Sequence, residues 1–236
     1  MPIYFQGSAF YLNHNTNNKK QTTKNKQRKT NNEQLTTNDE QRTTNKSLHL
    51  PFIITGTTME TITIHQRTFV PYLPAATIQQ RIQEMGAEIR KDLEGKVPLL
   101  LSVLNGSFMF AADLMKTLDF PVEITFVKLA SYQGTGTTGS VKQLIGLNEK
   151  IAGRSVLVVE DIIDTGITME HLLKELEQYG PEEIRIATLL FKEEAFRGSF
   201  AIDYTGFVVP DKFLVGYGLD YDGLGRNYPD LYTVTT

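Results

Sequence analysis

Between residues 58 and 236, the apolar and polar positions follow two patterns that take turns along the chain. Short apolar runs predict strands, and segments whose apolar residues recur every three or four positions predict amphipathic helices. The predicted helices cover residues 77–93, 108–118 and 166–179. The predicted strands cover residues 61–65, 97–104, 122–130, 142–147, 155–159, 183–191, 204–208 and 213–217. This order favours one α/β domain with a parallel sheet covered by helices, whose ligands bind at the carboxyl ends of the strands.

The N-terminal quarter of the chain has a different composition. The stretch from Asn13 to Lys46 is almost wholly Asn, Thr, Gln, Lys and Arg, which bury too little apolar surface to offset the entropy of ordering. We therefore expect residues 1–57 to be a disordered low-complexity extension and residues 58–236 to form the domain. A solvated extension or a misassigned start fits this composition better than an RNA-binding arm, and Tyr4 to Ser8 resembles a protease-tag scar.

Charge and cysteine content exclude several classes of function. Residues 51–236 carry 16 Lys and Arg against 24 Asp and Glu, a formal charge of −8, so we expect no specific nucleic-acid partner. There is no cysteine, which excludes disulfides and thiolate metal sites and fits a reducing cytoplasm. No apolar run approaches the roughly 20 residues of a membrane-spanning helix, so we expect a soluble protein without membrane contact.

One segment concentrates groups that bear chemistry. A buried strand leads into Glu160 and Asp161, Asp164 follows, and Thr165–Thr168 opens a helix. Backbone N–H groups and threonine hydroxyls at a helix start bind phosphate. Carboxylates accept hydrogen bonds from sugar hydroxyls or hold a hard cation. The segment therefore suits a pentose phosphate.

A purely structural interpretation makes Asp164 and Thr165 helix caps, and Glu160 and Asp161 exposed loop acids. Three carboxylates within five residues repel one another unless a cation compensates them, so this interpretation is the weaker one. Likewise, Lys192, Phe213 and Asp220 taken singly fit a salt bridge, a core residue and a turn.

Residues Glu160–Thr168 resemble the phosphoribosyl-pyrophosphate motif of the type I phosphoribosyltransferases, and most closely that of the hypoxanthine-guanine branch. Leu104–Ser107 resembles the family's pyrophosphate loop, Ser131-Tyr132 the start of its mobile catalytic loop, and Val209–Tyr221 its purine-recognition segment. The resemblance extends from about residue 60 to about residue 232. It implies a parallel-sheet core flanked by helices, with a small hood formed by the N- and C-terminal segments.

The resemblance also implies a role for each matching residue. Asp164 would be the general base near purine N7. The phosphoribosyl group would be bound by Glu160, Asp161, Thr165, Gly166, Ile167 and Thr168. The purine would be bound by Lys192, Lys212, Phe213, Leu214 and Asp220. Pyrophosphate would be bound by Leu104, Asn105, Gly106 and Arg226, with Ser131 and Tyr132 in the mobile loop. Magnesium would be ligated by Glu160, Asp161 and Asp220.

The implied reaction transfers the phosphoribosyl group of phosphoribosyl pyrophosphate to N9 of hypoxanthine, and also of guanine, giving IMP or GMP and pyrophosphate with Mg²⁺ as cofactor. Lys192 and Lys212 have only donors, so they select a carbonyl at purine position 6 and exclude adenine. Many relatives carry Lys where this chain has Asn105, so that one positive charge on the pyrophosphate is either missing here or supplied by backbone amides. The family also implies a homodimer or homotetramer.

Two other functions fit the same residues. A transferase that prefers xanthine or guanine would use the same lysines and differ only in its contacts at purine position 2. A regulator with the same fold would bind nucleotide as a signal and contact nucleic acid through the basic extension. The acidic body and the lack of a helix-turn-helix pattern argue against the regulator.

Overall fold

The computed structural model describes residues 60–132 and 141–235, with side chains described outside residues 129–145. The predicted disordered extension and its boundary at residue 57 lie outside the described residues. The described helices are α1 Ala75–Leu93, α2 Phe108–Thr117 and α3 Ile167–Glu177. The described strands are β1 Ile62–Ile64, β2 Arg67–Leu73, β3 Leu99–Leu104, β4 Glu123–Tyr132, β5 Val141–Ile145, β6 Ser155–Ile163, β7 Glu183–Phe191, β8 Tyr204–Val208, β9 Leu214–Val215 and β10 Leu231–Val234.

The main sheet has six strands in the order β5-β4-β3-β6-β7-β8. The five strands from β4 to β8 in this order are parallel, and β5 pairs antiparallel with β4 at one edge. The predicted parallel sheet is therefore confirmed. Parallel strands end at the same edge, so the loops after β3 and β6 meet there.

The central strands are apolar without interruption because both faces of the sheet are covered. Leu100 and Leu157 face the side of the sheet that packs against α1 and α2. Leu101 and Val158 face the other side, in one cluster with α3. The predicted inner face of α1 is confirmed, since its buried residues include Ile78, Ile82, Met85, Ile89 and Leu93. No helix within the described residues is long and apolar enough to cross a membrane.

A second, antiparallel sheet of four strands, β1-β2-β10-β9, joins the two ends of the described chain. This is the predicted hood. Its small core contains Phe69 from β2, Val215 from β9 and Tyr232 from β10. The loop after β9 reaches the main sheet, because a Cβ atom on Gly218 would collide with the backbone oxygen of Gly106 after β3.

Candidate active site

Strand β6 carries the predicted phosphoribosyl-binding carboxylates. It lies between β3 and β7, and its ladder with β7 continues from Ser155 to Ile163. Glu160 and Asp161 therefore lie within the strand, whereas the sequence pattern ended it at residue 159. Asp164 is the first residue after the strand, so all three carboxylates occupy the carboxyl edge of the main sheet.

The carboxylate of Asp161 lies deep in this edge. The backbone N–H of Ile162 donates to its Oδ1 at 2.9 Å. Burial raises the pKa of Asp161, and a hydrogen bond with Glu160 and the charge of Arg226 offset this only in part. Removal of this carboxyl group from water therefore outweighs the contacts that favour its ionised form.

The predicted catalytic residue, Asp164, contacts a predicted purine-binding lysine. Lys192 Nζ lies 2.9 Å from Asp164 Oδ2 and 2.9 Å from Asp211 Oδ1. The Lys192 side chain is 10% exposed. Burial lowers the pKa of Lys192, but the hydrogen bonds to Asp164 and Asp211 raise it above its ordinary value. Lys192 therefore remains a cation at the end of a buried stem.

The segment from Thr165 to Thr168 forms the start of α3, as predicted. Gly166 has φ 82°, a conformation that suits glycine, and the backbone N–H of Ile167 lies 3.5 Å from Thr165 Oγ1. Thr165, Ile167 and Thr168 are exposed. Backbone amides and hydroxyls at an exposed helix start are the groups that bind a phosphate dianion.

Three aromatic rings, each in contact with the next, pack beside this helix start. Phe191 and Phe196 have ring centroids 5.2 Å apart, and Phe196 and Phe200 also lie 5.2 Å apart, both edge to face. A Cβ atom on Gly166 would lie 2.6 Å from the ring of Phe196. Any larger residue at position 166 would therefore displace the ring or the backbone.

The predicted pyrophosphate loop connects β3 to α2 and begins with a cis peptide bond between Leu104 and Asn105. The hydroxyls of Ser102 and Ser107 are hydrogen bonded at 2.7 Å, which holds both ends of the loop. A Cβ atom on Gly106 would collide with the carboxylate of Asp161. A larger residue at position 106 would therefore displace either the loop or the carboxylate of Asp161.

Arg226 and Asp220 meet beside this loop. Arg226 Nη2 lies 2.6 Å from Asp220 Oδ1, and Nη1 donates to the backbone oxygen of Gly218 at 2.6 Å. The other Asp220 oxygen accepts from the backbone N–H of Gly223 at 2.8 Å. The structure therefore brings Arg226 close to the pyrophosphate loop and occupies both Asp220 oxygens with donors.

The three predicted metal ligands do not form one cluster. Within residues 60–132 and 141–235, no three His, Cys, Asp or Glu side chains are grouped so that they could hold a metal ion. Asp220 is paired with Arg226, whose charge also acts on Asp161. A metal at this edge would therefore need oxygen ligands from elsewhere, such as substrate phosphates and water.

The predicted purine-binding segment divides into buried and exposed residues. Leu214 is buried in β9, and Lys212 is exposed. Phe213 is 46% exposed, and its ring lies edge to face with Tyr221 at 5.7 Å and tilted against Phe69 at 6.3 Å. A large aromatic ring held by its neighbours with much of its surface open is suited to stacking on a planar base. Among the described ion pairs, it is Lys192 and not Lys212 that reaches Asp164.

Next to this segment the surface forms an open cavity of about 500 Å³. It is lined by Asp164, Thr165, Glu194, Ala195, Arg197 and Asp211. The cavity thus joins the start of α3 to Asp211, the residue that shares Lys192 with Asp164.

The predicted mobile loop is described only in part. Ser131 and Tyr132 form the end of β4, where their backbones pair with Lys142 and Val141 of β5. Residues 133–140 and the side-chain roles predicted for Ser131 and Tyr132 lie outside the described residues.

Residues 72–222 match the family model of the phosphoribosyl transferase domain, which covers more than half of the chain. The chain belongs to the phosphoribosyltransferase family. It is 42% identical over 153 residues to the hypoxanthine-guanine-xanthine phosphoribosyltransferase of Tritrichomonas foetus, an alignment that covers 64% of this chain and 84% of that protein. Its identity to the hypoxanthine-guanine phosphoribosyltransferase of Lactococcus lactis is also 42% over 153 residues, 64% of this chain and 83% of the relative.

A solved structure shares both fold and sequence with this phosphoribosyltransferase. The crystal structure of a hypoxanthine phosphoribosyltransferase from Staphylococcus aureus is 36% identical, with a TM-score of 0.66. The similarity covers 70% of this chain and 91% of that one. The type I fold expected from the motifs is thereby confirmed.

The sequence motifs of this phosphoribosyltransferase did not point to Asp211 or Arg197. Asp211 contacts Lys192 across 19 positions of sequence, and the backbone N–H of Arg197 donates to the carbonyl oxygen of Thr165 at 3.0 Å. Both contacts depend on how the segments after β7 and β8 fold back. The one available signal was that Asp211 stands beside Lys212 in the predicted purine-recognition segment.

Proposed function

We propose that this chain transfers the 5-phosphoribosyl group of phosphoribosyl pyrophosphate to N9 of hypoxanthine and guanine, giving IMP or GMP and pyrophosphate in purine salvage. The contact of Asp164 with Lys192, at the edge of a cavity next to a helix start, carries the proposal. Support also comes from the relatives, which are named as transferases of these bases.

The proposed phosphoribosyl site follows the carboxyl end of β6. The 5′-phosphate would bind to the backbone N–H groups and hydroxyls of Thr165–Thr168, with Gly166 allowing close approach. Glu160 and Asp161 would accept hydrogen bonds from the two ribose hydroxyls, since ionised carboxylates have only acceptors. A sugar phosphate bound this way places its anomeric carbon toward Asp164 and the purine residues.

The proposed purine site uses Lys192 as donor to O6, with Lys212 as a second donor, and Phe213 as the stacking ring. Leu214 and Asp220 would contribute the surrounding contacts at purine position 2. Adenine carries an amino group at position 6, so two donors would meet at that position and repel it. Asp164 would accept the proton released from purine N7 as N9 attacks the sugar.

The proposed pyrophosphate site comprises Leu104–Gly106 and Arg226. The backbone amides of the loop and the guanidinium would bind the leaving group and neutralise its charge as the bond to the anomeric carbon breaks. Because this loop has Asn105 in place of lysine, Arg226 would be the principal cation of the pyrophosphate site. Closure of the segment after Ser131 and Tyr132 would exclude water, which competes for the activated sugar.

A divalent cation, Mg²⁺ in this proposal, would use two of the three predicted carboxylate ligands. Glu160 and Asp161 offer the carboxylate oxygens that Mg²⁺ prefers, and Asp220 would join only if its pair with Arg226 opened. When bound, the ion supplies neutralisation of the departing pyrophosphate. Mg²⁺ usually takes one or two protein carboxylates beside substrate phosphates, which agrees with the absence of a three-residue cluster in the described part of the chain.

A preference for xanthine is the second candidate within this activity. It is favoured by one observation, the 42% identity to a relative whose name includes xanthine. The difference between the bases lies at purine position 2, where contacts near Leu214 and Asp220 would decide.

We also propose a homodimer or homotetramer in the cytoplasm. Phe108 and Phe126, apolar side chains that are 42% and 44% exposed, are positions to test in such an interface.

The test is nucleotide formation from hypoxanthine, guanine, xanthine and adenine with phosphoribosyl pyrophosphate and Mg²⁺. The three 6-oxopurines are expected to react and adenine to be excluded, and the ranking of kcat/KM gives the preferred base. Tight binding of phosphoribosyl pyrophosphate without turnover of any purine would contradict the transferase and indicate a nucleotide-sensing regulator. Light scattering that finds only monomer would contradict the assembly.

A further inference from the structure

Lys192 is held between two carboxylates that come from separate segments of the fold. Asp164 follows β6 and Asp211 follows β8, and each has a carboxylate oxygen 2.9 Å from Lys192 Nζ. An ammonium group has three donors. With two of them directed to these carboxylates, one remains for an acceptor that enters the cavity lined by Asp164 and Asp211.

The backbone around this pair is anchored on both sides. The N–H of Lys192 donates to the carbonyl oxygen of Ile163 at 2.9 Å, next to Asp164. The N–H of Val209 donates to the carbonyl oxygen of Phe191 at 2.9 Å. A tight turn follows, in which the N–H of Lys212 donates to the carbonyl oxygen of Pro210 at 2.7 Å. Proline fixes φ in this turn, so Asp211 is presented to Lys192 by a backbone with little freedom.

We infer that Asp211 is a positioning residue, which holds the Lys192 ammonium in place for the carbonyl oxygen at position 6 of the purine. The inference rests on the proposed transferase function. The ammonium of a lysine is carried on a flexible four-carbon stem. Without Asp211, of the two carboxylates that hold the Lys192 ammonium, only Asp164 attracts it. The ammonium then moves toward Asp164, which weakens its bond to the purine and occupies the oxygen that is to accept the purine proton.

The neighbouring charged groups provide a matched control. Glu194 and Arg197 line the same cavity, and Glu193 is the exposed residue directly after Lys192. Among the described ion pairs, those of Lys192 are with Asp164 and Asp211 and not with Glu193. Glu193→Gln therefore removes the same charge at almost the same place without removing the contact.

The first experiment compares Asp211→Asn, Asp211→Glu and Glu193→Gln in the full chain by steady-state kinetics. Asp211→Asn is expected to raise the KM for hypoxanthine about five- to tenfold, less than the full loss of a charged hydrogen bond because solvent screens the exposed Asp211. The KM for phosphoribosyl pyrophosphate is expected to stay within about twofold. Asp211→Glu should restore most of the base affinity, and Glu193→Gln should match the wild type. The inference is overturned if Asp211→Asn also behaves as wild type, or if both KM values rise together.

A second experiment does not depend on turnover. The pKa of the Lys192 ammonium is measured by nuclear magnetic resonance in the wild type, Asp211→Asn and Glu193→Gln. The hydrogen bond to Asp211 helps to raise this pKa against burial, so Asp211→Asn should lower it and Glu193→Gln should change it much less. An equal pKa in all three proteins would overturn the inference. A wild type that shows the shift but turns over no purine would remove the proposed function while leaving the lysine–carboxylate pair established.

The Asp211 variants are expected to fold, because the Asp211 side chain is 64% exposed and its replacement leaves no buried gap. Asp211→Asn is therefore expected to melt at the wild-type temperature. Asp211→Ser serves as a second variant with the same expected change in base KM if the asparagine protein unfolds early.

Discussion

Arg226 and Asp220 are joined by an ion pair of 2.6 Å beside the pyrophosphate loop. The sequence motifs assigned the first to pyrophosphate and the second to purine and metal, whereas the structure shows the two charges neutralising each other. The guanidinium keeps its Nη1 contact with the backbone of Gly218 at the same time. Pyrophosphate would therefore compete with one carboxylate for a guanidinium that is already held in place.

Replacement of Arg226 by glutamine should weaken the binding of phosphoribosyl pyrophosphate. The lost charge-assisted hydrogen bonds correspond to about 1.5–3 kcal/mol, so we expect the KM for this substrate to rise about ten- to a hundredfold. Arg226→Lys should recover only part of it, because an ammonium lacks the planar fork. The matched control is Arg154→Gln, which breaks a pair with Glu123 at the opposite edge of the main sheet. Equal KM values for the Arg226 and Arg154 variants would contradict the assigned role.

Replacement of Asp164 by asparagine should slow the chemical step. An amide of the same size cannot accept the purine proton, and general-base catalysis typically contributes about 10²- to 10⁴-fold. We expect a loss of that order in the single-turnover rate of nucleotide formation, with the affinity for phosphoribosyl pyrophosphate retained. Asp222→Asn, an exposed residue of the hood, is the control. A single-turnover rate within a few-fold of wild type would exclude Asp164 as the base.

Replacement of Gly106 by alanine should displace the pyrophosphate loop from β6. The added methyl group meets the carboxylate of Asp161, so either the loop or the carboxylate has to move. We expect kcat/KM for phosphoribosyl pyrophosphate to fall at least about tenfold, since small misplacements of reacting groups are costly. Gly153→Ala meets no neighbour within 4 Å but strains the backbone at φ 70°, so it controls for a loss of stability away from the site. Wild-type kcat/KM in Gly106→Ala would show that this close approach is dispensable.

Replacement of Glu183 by glutamine should remove a pH-dependent contribution to stability. Burial raises the pKa of Glu183, but hydrogen bonds from Lys96, Ser155 and Arg185 lower it to about 2. A carboxyl group with a lowered folded pKa stabilises the fold above its unfolded pKa of about 4.3 and loses this effect as the pH falls toward 2. The wild type should therefore melt above the variant at pH 7, and the difference should shrink between about pH 5 and pH 2. A difference independent of pH would contradict this assignment.

The main sheet was predictable because its signals are local. Strands β7 and β8 begin and end at the predicted residues, and α1 and α2 begin and end within two residues of prediction. Strands β2 and β10 were missed. Strand β2 contains Pro71, which pairs with Tyr232 of β10 from the far end of the chain. Such a pairing leaves no mark on the sequence near either residue.

The candidate site also has one part that the sequence predicts and one part that it does not. The chemistry of Glu160–Thr168 is contiguous in the chain, and the structure keeps it together at the end of β6. The partnership of Lys192 with Asp211 depends on the turn at Pro210, and that of Arg226 with Asp220 on the loop after β9. Sequence similarity assigned Lys192, Arg226 and Asp220 to ligands but gave Asp211 no role. The contacts among these residues follow only from the folded backbone.

Gly106 lies between the two sheets, in contact with Asp161 of the main sheet and with Gly218 of the hood. The backbone at Gly106 therefore contacts both the main sheet and the hood. A hinge motion that swung the hood away would separate Gly218 from Gly106 and carry the backbone that holds Arg226 with it. The position of the hood and the integrity of the pyrophosphate side of the site are therefore coupled through this one contact.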